Sequence, residues 1–221
     1  NTIIKSITKD KTVKMAVKKY QGMRILRQDP FQCLISFIIS ANSNIPKIKF
    51  CLENITKQFG RKVRWSKQEF YLFPEPQKLA KASIKDIKSC GVGYRAEFII
   101  QASKMVTSRK IDFENLKKCD YQETKKRIRK IPGVGNKVAD CVMLFSLEKL
   151  DAVPLDRWVL RILKKYYLEK FDIPTKTITE KQYELLHERI INHFGPYAGY
   201  SQQFLFKSER DKNQKKWVLN P

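Results

Sequence analysis

The chain has 221 residues, of which 42% are hydrophobic, enough for one large domain or two small lobes with a core. Its 45 lysines and arginines against 22 acidic residues give a formal charge of +23, which favours a polyanionic partner. Nucleic acid fits best; a membrane surface fits less well, and a lysine-rich proteome would explain part of the excess. No apolar run reaches the roughly 18 to 20 residues of a membrane-spanning helix, and no signal peptide is recognisable.

The five cysteines predict reduced, intracellular thiols rather than a disulfide framework, because their number is odd and several lie in apolar helical patterns. The sequence contains no Cys-x-x-Cys pair, which argues against a zinc ribbon and against an iron–sulfur cluster held by cysteines. We therefore expect that no cofactor is required.

The residue patterns of the first half of the chain predict helices. Asp29 and Pro30 supply an N-cap and a first-turn proline for "FQCLISFIIS", which is apolar nearly all round and therefore predicts a buried helix. Pro46 starts the helix "KIKFCLENITKQF", which Gly60 ends. The following "RWSKQEFYLFPEPQ" is predicted as an aromatic, proline-containing connection.

The second half also reads as helices. Asp120 with Glu123 resembles a capping box for a helix that begins there. Further helices are predicted at about 136–147, 156–167, 179–194 and 196–207. Alternating strand patterns and Asn-Gly hairpins are absent from the sequence, so the fold class is predicted as all-α.

Two helical lobes are expected, and neither a low-complexity tract nor a clear linker separates them. Residues 29–119 would form one lobe. Residues 1–28 would return to pack with 120–221 in the second lobe, which would carry a helix-hairpin-helix motif at about 120–148 and also Asp156.

Two glycine turns share one pattern. "SCGVGYRAE" and "KIPGVGNKVAD" both place Gly-Val-Gly before a helix. Such a hairpin exposes backbone N–H groups at a helix N-terminus, which bind a phosphate without reading bases. Gly133 and Gly135 would allow the sharp turn and the close approach of the phosphate. A single turn of this kind would often be no more than a tight connection between two helices.

Several stretches, in order, resemble the 8-oxoguanine DNA glycosylase/AP lyase family of the helix-hairpin-helix DNA glycosylase superfamily. They are "YQGMRILRQDPFQCLISFIISANSNIPKI", "GVGYRAEFI", "IPGVGNKVADCVMLFSL", "DAVPLDRWVLRI" and "FGPYAGYSQQFLF", spanning about residues 15 to 208. The resemblance implies an all-α, two-lobe fold and a monomeric base excision repair enzyme. It also implies excision of 8-oxoguanine from duplex DNA, opposite cytosine, and work wherever the DNA is, in a nucleus or a nucleoid.

Breaking a base–deoxyribose bond with an amine needs a lysine that can lose its proton. Lys137 lies where a helix should begin, and there the helix dipole disfavours its cation, as partial burial would. A phosphate-binding lysine is the simpler alternative. Asp156 follows Pro154 where another helix should start, so it suits an N-cap and also a carboxylate that stabilises charge developing on the sugar. The resemblance implies that Lys137 is the nucleophile and Asp156 the essential carboxylate.

The resemblance also implies roles in holding DNA. Cys141 and Phe206 would pack on the two faces of a flipped base, and Gln202 would bond to its edge. Taken alone, Cys141 and Phe206 are more simply interpreted as core residues, since Cys141 is small and Phe206 lies in the aromatic cluster "QQFLF". The remaining positions that resemble DNA-contacting residues are Asn42, Lys47, Tyr94, Arg95, Gly133, Gly135 and Trp158, and the backbone carbonyls of Arg129, Ile131 and Val134 would hold a monovalent cation.

The chain departs from the family pattern at several points. Ser43 and Lys47 stand where asparagine and arginine are usual, which puts strict discrimination of the opposite base in doubt. Trp158 stands where the animal enzymes have a phosphate-contacting histidine. The β-rich N-terminal lobe of the animal enzymes is not represented. The chain begins at Asn1 without Met, so either a segment before Asn1 or another group would do the work of that lobe in sensing the N7 hydrogen of 8-oxoguanine.

Two other functions remain open at this stage. One is a glycosylase for another damaged base, for which a serine or aliphatic residue in place of Lys137 would be expected if it lacked lyase activity. The other is a non-catalytic DNA-binding module, which would need neither Asp156 nor the pair Gln202 and Phe206.

Overall fold

The structure is a computed structural model that describes residues 2–66, 68–174 and 177–217, with residues 213–217 described by their backbone alone. The elements are, in chain order, α1 (Thr2–Ile7), α2 (Lys11–Lys19), α3 (Pro30–Ser40), α4 (Ile45–Phe59), β1 (Lys62–Trp65), β2 (Gln68–Tyr71), α5 (Pro76–Ala80), α6 (Ile84–Ile87), α7 (Ala96–Thr107), α8 (Phe113–Lys118), α9 (Tyr121–Ile128), α10 (Asn136–Ser146), α11 (Arg157–Tyr166), α12 (Glu180–Phe194) and α13 (Ala198–Trp217). The predicted all-α class is confirmed.

Capping side chains explain where several helices begin. Asp29 accepts a hydrogen bond from the Gln32 amide at 2.8 Å at the start of α3, and Asp120 accepts one from the Glu123 amide at 2.8 Å at the start of α9. Thr179 completes a capping box at the start of α12. Each cap satisfies an amide that the helix itself leaves without a partner.

One segment differs from the predicted all-helical pattern. Strands β1 and β2 form an antiparallel hairpin in which Val63 pairs with Phe70 and Trp65 pairs with Gln68. Sequence analysis predicted an aromatic, proline-containing connection for "RWSKQEFYLFPEPQ" and no strand, so the hairpin corrects that prediction. The strands have four residues each, too short for a clear alternation, and Ser66 rather than glycine or asparagine adopts positive φ at the turn (+55°).

The chain divides into two compact units: Gln28–Leu147, and Asn1–Arg27 together with Glu148–Pro221. This division differs from the predicted lobes, because residues 120–147 belong with the first unit. Packing of α10 on α3 is the physical reason. The rings of Phe37 and Phe145 stack with centroids 5.6 Å apart and planes 9° apart, and the Gln28 amide donates to the Phe145 carbonyl at 2.9 Å.

The other unit joins its N-terminal and C-terminal segments through Asp10. The carboxylate caps α2 by accepting from the Val13 amide at 2.9 Å, and it accepts from the Tyr167 hydroxyl at 2.7 Å. The ring of His193 lies 3.0 Å from its second oxygen. Burial alone would raise the pKa of Asp10, but these hydrogen bonds outweigh it and hold the pKa below its ordinary value.

Replacing Asp10 with Asn should destabilise the protein by about 1–2 kcal/mol at neutral pH, since the cap survives while the charge-assisted bonds are lost. Because the folded-state pKa is lowered, this stabilisation is present above the unfolded-state pKa and is lost as pH falls through the folded-state pKa. Urea unfolding at pH 7 and at progressively lower pH measures both effects. Asp29→Asn, at an exposed cap, is the control, and an equal loss of stability in the two variants would contradict the prediction.

Within the described ranges, no helix is both long and apolar enough to cross a membrane.

Candidate active site

The turn between α9 and α10 has the geometry expected of a glycine hairpin. Gly133 has φ +81°, and a Cβ atom there would lie 2.5 Å from Cδ2 of Phe98, so a side chain is disfavoured by both conformation and space. Gly135 is the N-cap of α10 and has no side chain with which to occupy the first amides of the helix. The start of α10 can therefore present backbone N–H groups to an anion.

Lys137 lies in the first turn of α10 and is half-buried. Its Nζ is 3.5 Å from the Ser40 hydroxyl oxygen and 5.4 Å from the centre of the Phe37 ring. The Ser40 hydroxyl in turn donates to the Phe37 carbonyl at 2.8 Å. The last turn of α3 thus gives the amine a contact with an aromatic ring and one long hydrogen bond.

Sequence reasoning missed Ser40 and Phe37. A usable signal did exist, since Ser40 is a polar residue at the end of the apolar run "FQCLISFIIS". Cys141, one turn after Lys137 on α10, is buried. This burial fits a core residue and fits a wall beneath a bound base equally well.

The second Gly-Val-Gly turn is organised around Arg95. Its guanidinium donates from Nε to the Ala41 carbonyl at 2.9 Å, from Nη2 to the carbonyls of Ala41 and Asn42, and from Nη1 to that of Val92. These bonds hold the end of α3, where Asn42 has φ +49°, against the glycine turn. The predicted residues Asn42 and Arg95 are therefore neighbours.

Tyr94 follows this turn directly in the chain, and Lys47 lies beside Gly91 in the turn. The Tyr94 ring is exposed, has the Arg95 guanidinium 4.6 Å from its centre, and meets Phe98 edge-on at 6.2 Å. Lys47 Nζ lies 5.0 Å from the Phe50 ring centre, and a Cβ atom on Gly91 would come within 3.2 Å of the same nitrogen. An exposed aromatic ring beside a guanidinium suits insertion into a nucleic acid stack.

Asp156 is the N-cap of α11, as predicted. One carboxylate oxygen accepts from the amides of Trp158 at 2.9 Å and Val159 at 2.8 Å. These bonds fix the direction of the carboxylate. The cap uses only one of the two carboxylate oxygens, so a capping role and a catalytic role are compatible.

Trp158 and Phe206 meet edge-on, with centroids 6.5 Å apart and planes 79° apart. The Arg161 guanidinium lies 5.6 Å from the Trp158 ring centre. Phe206 is half-buried, whereas Gln202, one turn earlier on α13, is buried and accepts a hydrogen bond from the Gln203 side chain at 2.7 Å. Asp156, Trp158, Gln202 and Phe206 all belong to the same unit.

The carbonyls predicted to hold a cation lie on the hairpin that joins α9 and α10. The Ile131 carbonyl accepts a hydrogen bond from the Val134 amide at 3.1 Å, which gives the turn its shape. In the ranges that the structure describes, no group of three His, Cys, Asp or Glu side chains could hold a metal ion.

The helical fold, the glycine hairpin and the capped aspartate define a class of DNA repair protein. A family model described as "HhH-GPD superfamily base excision DNA repair protein" matches residues 35–188, and the chain belongs to this family.

The relatives of the chain include two N-glycosylase/DNA lyases. The chain is 33% identical over 193 residues to the N-glycosylase/DNA lyase OGG1 of Arabidopsis thaliana, covering 86% of this chain and 52% of the plant protein, or about half its length. It is 32% identical over 215 residues to the N-glycosylase/DNA lyase of Saccharomyces cerevisiae, covering 86% and 57%. The crystal structure of Clostridium acetobutylicum 8-oxoguanine glycosylase/lyase with DNA containing cytosine opposite 8-oxoguanine is 35% identical, with a TM-score of 0.85 over 96% of this chain and 70% of that one.

Proposed function

We propose that the protein is a bifunctional DNA glycosylase and AP lyase that excises 8-oxoguanine from duplex DNA, opposite cytosine. The observation that carries the proposal is a lysine, Lys137, in the first turn after a glycine hairpin, in a chain that resembles 8-oxoguanine glycosylase/lyases over nearly its whole length. An amine at this point can open the sugar and cut the strand, which a phosphate-binding module need not do.

Lys137 is proposed as the nucleophile. Its neutral amine attacks C1′ of the damaged nucleotide, the bond from C1′ to the base breaks, and the base leaves with a proton. The resulting imine permits β-elimination of the 3′ phosphate. The contacts of Lys137 Nζ with Ser40 and Phe37 would hold the amine in one direction before DNA arrives.

Asp156 is proposed to stabilise the positive charge that develops on the sugar and to relay protons. Its two amide bonds, to Trp158 and Val159, support this role because a carboxylate held in place needs no reorganisation during the reaction.

The proposed base contacts are Cys141 and Phe206 on the two faces of the flipped base and Gln202 on its edge. The half-buried ring of Phe206 and its edge-on contact with Trp158 support the role of Phe206. Asn42, Tyr94 and Arg95 would hold the strand opposite the lesion. In this conformation the Arg95 guanidinium bonds to the carbonyls of Ala41, Asn42 and Val92, so reaching a cytosine would require it to exchange some of those bonds.

The carbonyls of Arg129, Ile131 and Val134 would hold a monovalent cation, and the reaction itself would need no cofactor. We propose a monomer that acts wherever the cell keeps its DNA.

An incision assay tests the proposal. The purified chain is mixed with duplexes that carry 8-oxoguanine, 3-methyladenine, thymine glycol or no lesion, each opposite cytosine or its usual partner. Base release and strand cleavage on the 8-oxoguanine duplex alone would support the function. Release of another base without strand cleavage would show a glycosylase of different specificity, and binding without either product would show a DNA-binding module.

Affinity for duplex DNA should fall steeply with salt. Two glycine turns and a kinked duplex suggest roughly 5 to 8 phosphate contacts, so the plot of log affinity against log salt should have a slope of about −5 to −7. Fluorescence anisotropy with an undamaged duplex between 50 and 200 mM salt (about 10³-fold or more in affinity over this range) measures it. A slope near zero would contradict the prediction.

A further inference from the structure

A buried polar network joins the two helices of the glycine hairpin. The Asp140 side chain on α10 is fully buried at 0% exposed, and the Lys125 side chain on α9 is 7% exposed, with 3.3 Å between Lys125 Nζ and Asp140 Oδ2. The Tyr121 hydroxyl donates to Asp140 Oδ1 at 2.8 Å and accepts from Lys125 Nζ at 2.7 Å. Each of the three groups thus contacts the other two.

Such a network contributes little net stability. Two buried charges lose their hydration, and apolar residues of similar volume are often as stabilising or more so. Three mutual bonds restrict geometry far more than an apolar contact does, because hydrogen bonds are directional and apolar contacts are not. The network is therefore better explained by a demand for exact orientation of α10 than by a demand for stability.

The orientation matters because of what lies beside Asp140. Asp140 follows Lys137 by three residues and precedes Cys141 by one on the same helix. An amine at the end of a lysine side chain lies roughly 8 Å from the helix axis, so a rotation of about 10° moves it by about 1.4 Å. A misplacement of about 1 Å can cost roughly 100-fold in rate.

We propose that Asp140, Lys125 and Tyr121 are positioning residues that fix the rotation of α10 and thereby aim Lys137 and the hairpin amides. This proposal rests on the proposed function, because it takes Lys137 as the nucleophile. The network couples α9 to α10 directly, so the hairpin between them keeps one shape without relying on bound DNA.

The test replaces both charges together, Lys125→Met with Asp140→Leu, so that no buried charge is left unpaired. The double variant should melt within a few degrees of the parent, and its Kd for an undamaged duplex should rise only a few-fold, because the hairpin amides supply only part of the roughly 5 to 8 phosphate contacts. Its single-turnover release of 8-oxoguanine should fall by roughly 10- to 100-fold. The matched control is Glu123→Gln with Arg127→Gln, which removes an exposed ion pair (2.6 Å) from the same helix and should leave the rate unchanged.

A parental rate in a stable double variant would overturn the proposal, as would an equal loss of rate in the exposed-pair control. If the double variant fails to fold, Tyr121→Phe takes its place; it removes one hydroxyl and should lower the rate by roughly 3- to 10-fold, and an unchanged rate would contradict the proposal. Failure of the proposed function would instead show as a parent that releases no base. Hydrogen exchange of the amides at 133–137 then decides: faster exchange in the variants supports positioning, and parental exchange refutes it.

Discussion

Replacing Lys137 with Gln should abolish borohydride trapping of the protein on 8-oxoguanine duplex DNA. Amine attack on C1′ leaves an imine that borohydride reduces to a stable link, and an amide cannot form that imine. Base release should fall at least about 1000-fold, a conservative figure for loss of a positioned nucleophile. Denaturing gels of the trapped complex, together with single-turnover base release, measure both.

Binding should survive this substitution, since it removes one positive charge of 45 lysines and arginines. Lys130→Gln is the matched control: it removes the same charge from the exposed turn of the same hairpin and should still be trapped. Undiminished trapping in Lys137→Gln would assign the nucleophile to another amine. Loss of trapping in both variants would indicate that charge, and not nucleophilicity, is what the assay detects.

The second large effect is expected at Phe206. Stacking of a base on an aromatic ring contributes about 1–3 kcal/mol, so Phe206→Ala should lower 8-oxoguanine excision by roughly 10- to 100-fold. Cleavage at an abasic site should fall less, because such a site has no base to stack but still reaches the amine. Both rates are measured beside a melting curve.

The matched control for this prediction is the neighbouring ring of Phe204, which is 1% exposed and belongs to the core. Phe204→Ala should lower the melting temperature and both activities together, as expected when a large core side chain is removed. Phe206→Ala should keep its melting temperature and most of its abasic-site cleavage. If the two variants behave alike, Phe206 is a core residue and the base contact must be sought elsewhere.

Local signals in the sequence were sufficient for much of the fold. The caps at Asp29 and Asp120 and the glycines of the hairpin mark helix ends because a cap and a positive φ are decided within a few residues of chain. Asp156 is the clearest instance: a carboxylate after a proline predicted the N-cap that the structure shows. The catalytic role of Asp156 stays a prediction.

What the sequence did not reveal depends on contacts between distant segments. The grouping of 120–147 with 28–119 follows from packing of α10 on α3, and the surroundings of Lys137 come from Ser40, which is 97 residues away. The pairing of Lys125 with Asp140 is closer, yet each residue alone looks like an ordinary charged surface position. The hairpin of β1 and β2 was missed for a different reason, since four-residue strands carry too short a pattern.

The ring of Phe98 contacts both glycine turns. It fills the space where a Cβ of Gly133 would lie, and it meets Tyr94 edge-on at 6.2 Å. One aromatic side chain therefore spans both Gly-Val-Gly turns and sets their separation. Under the proposed function, the two turns bind the phosphate backbone at a fixed spacing. The duplex must then bend to fit the protein, so the protein should bind most readily to sequences that bend easily.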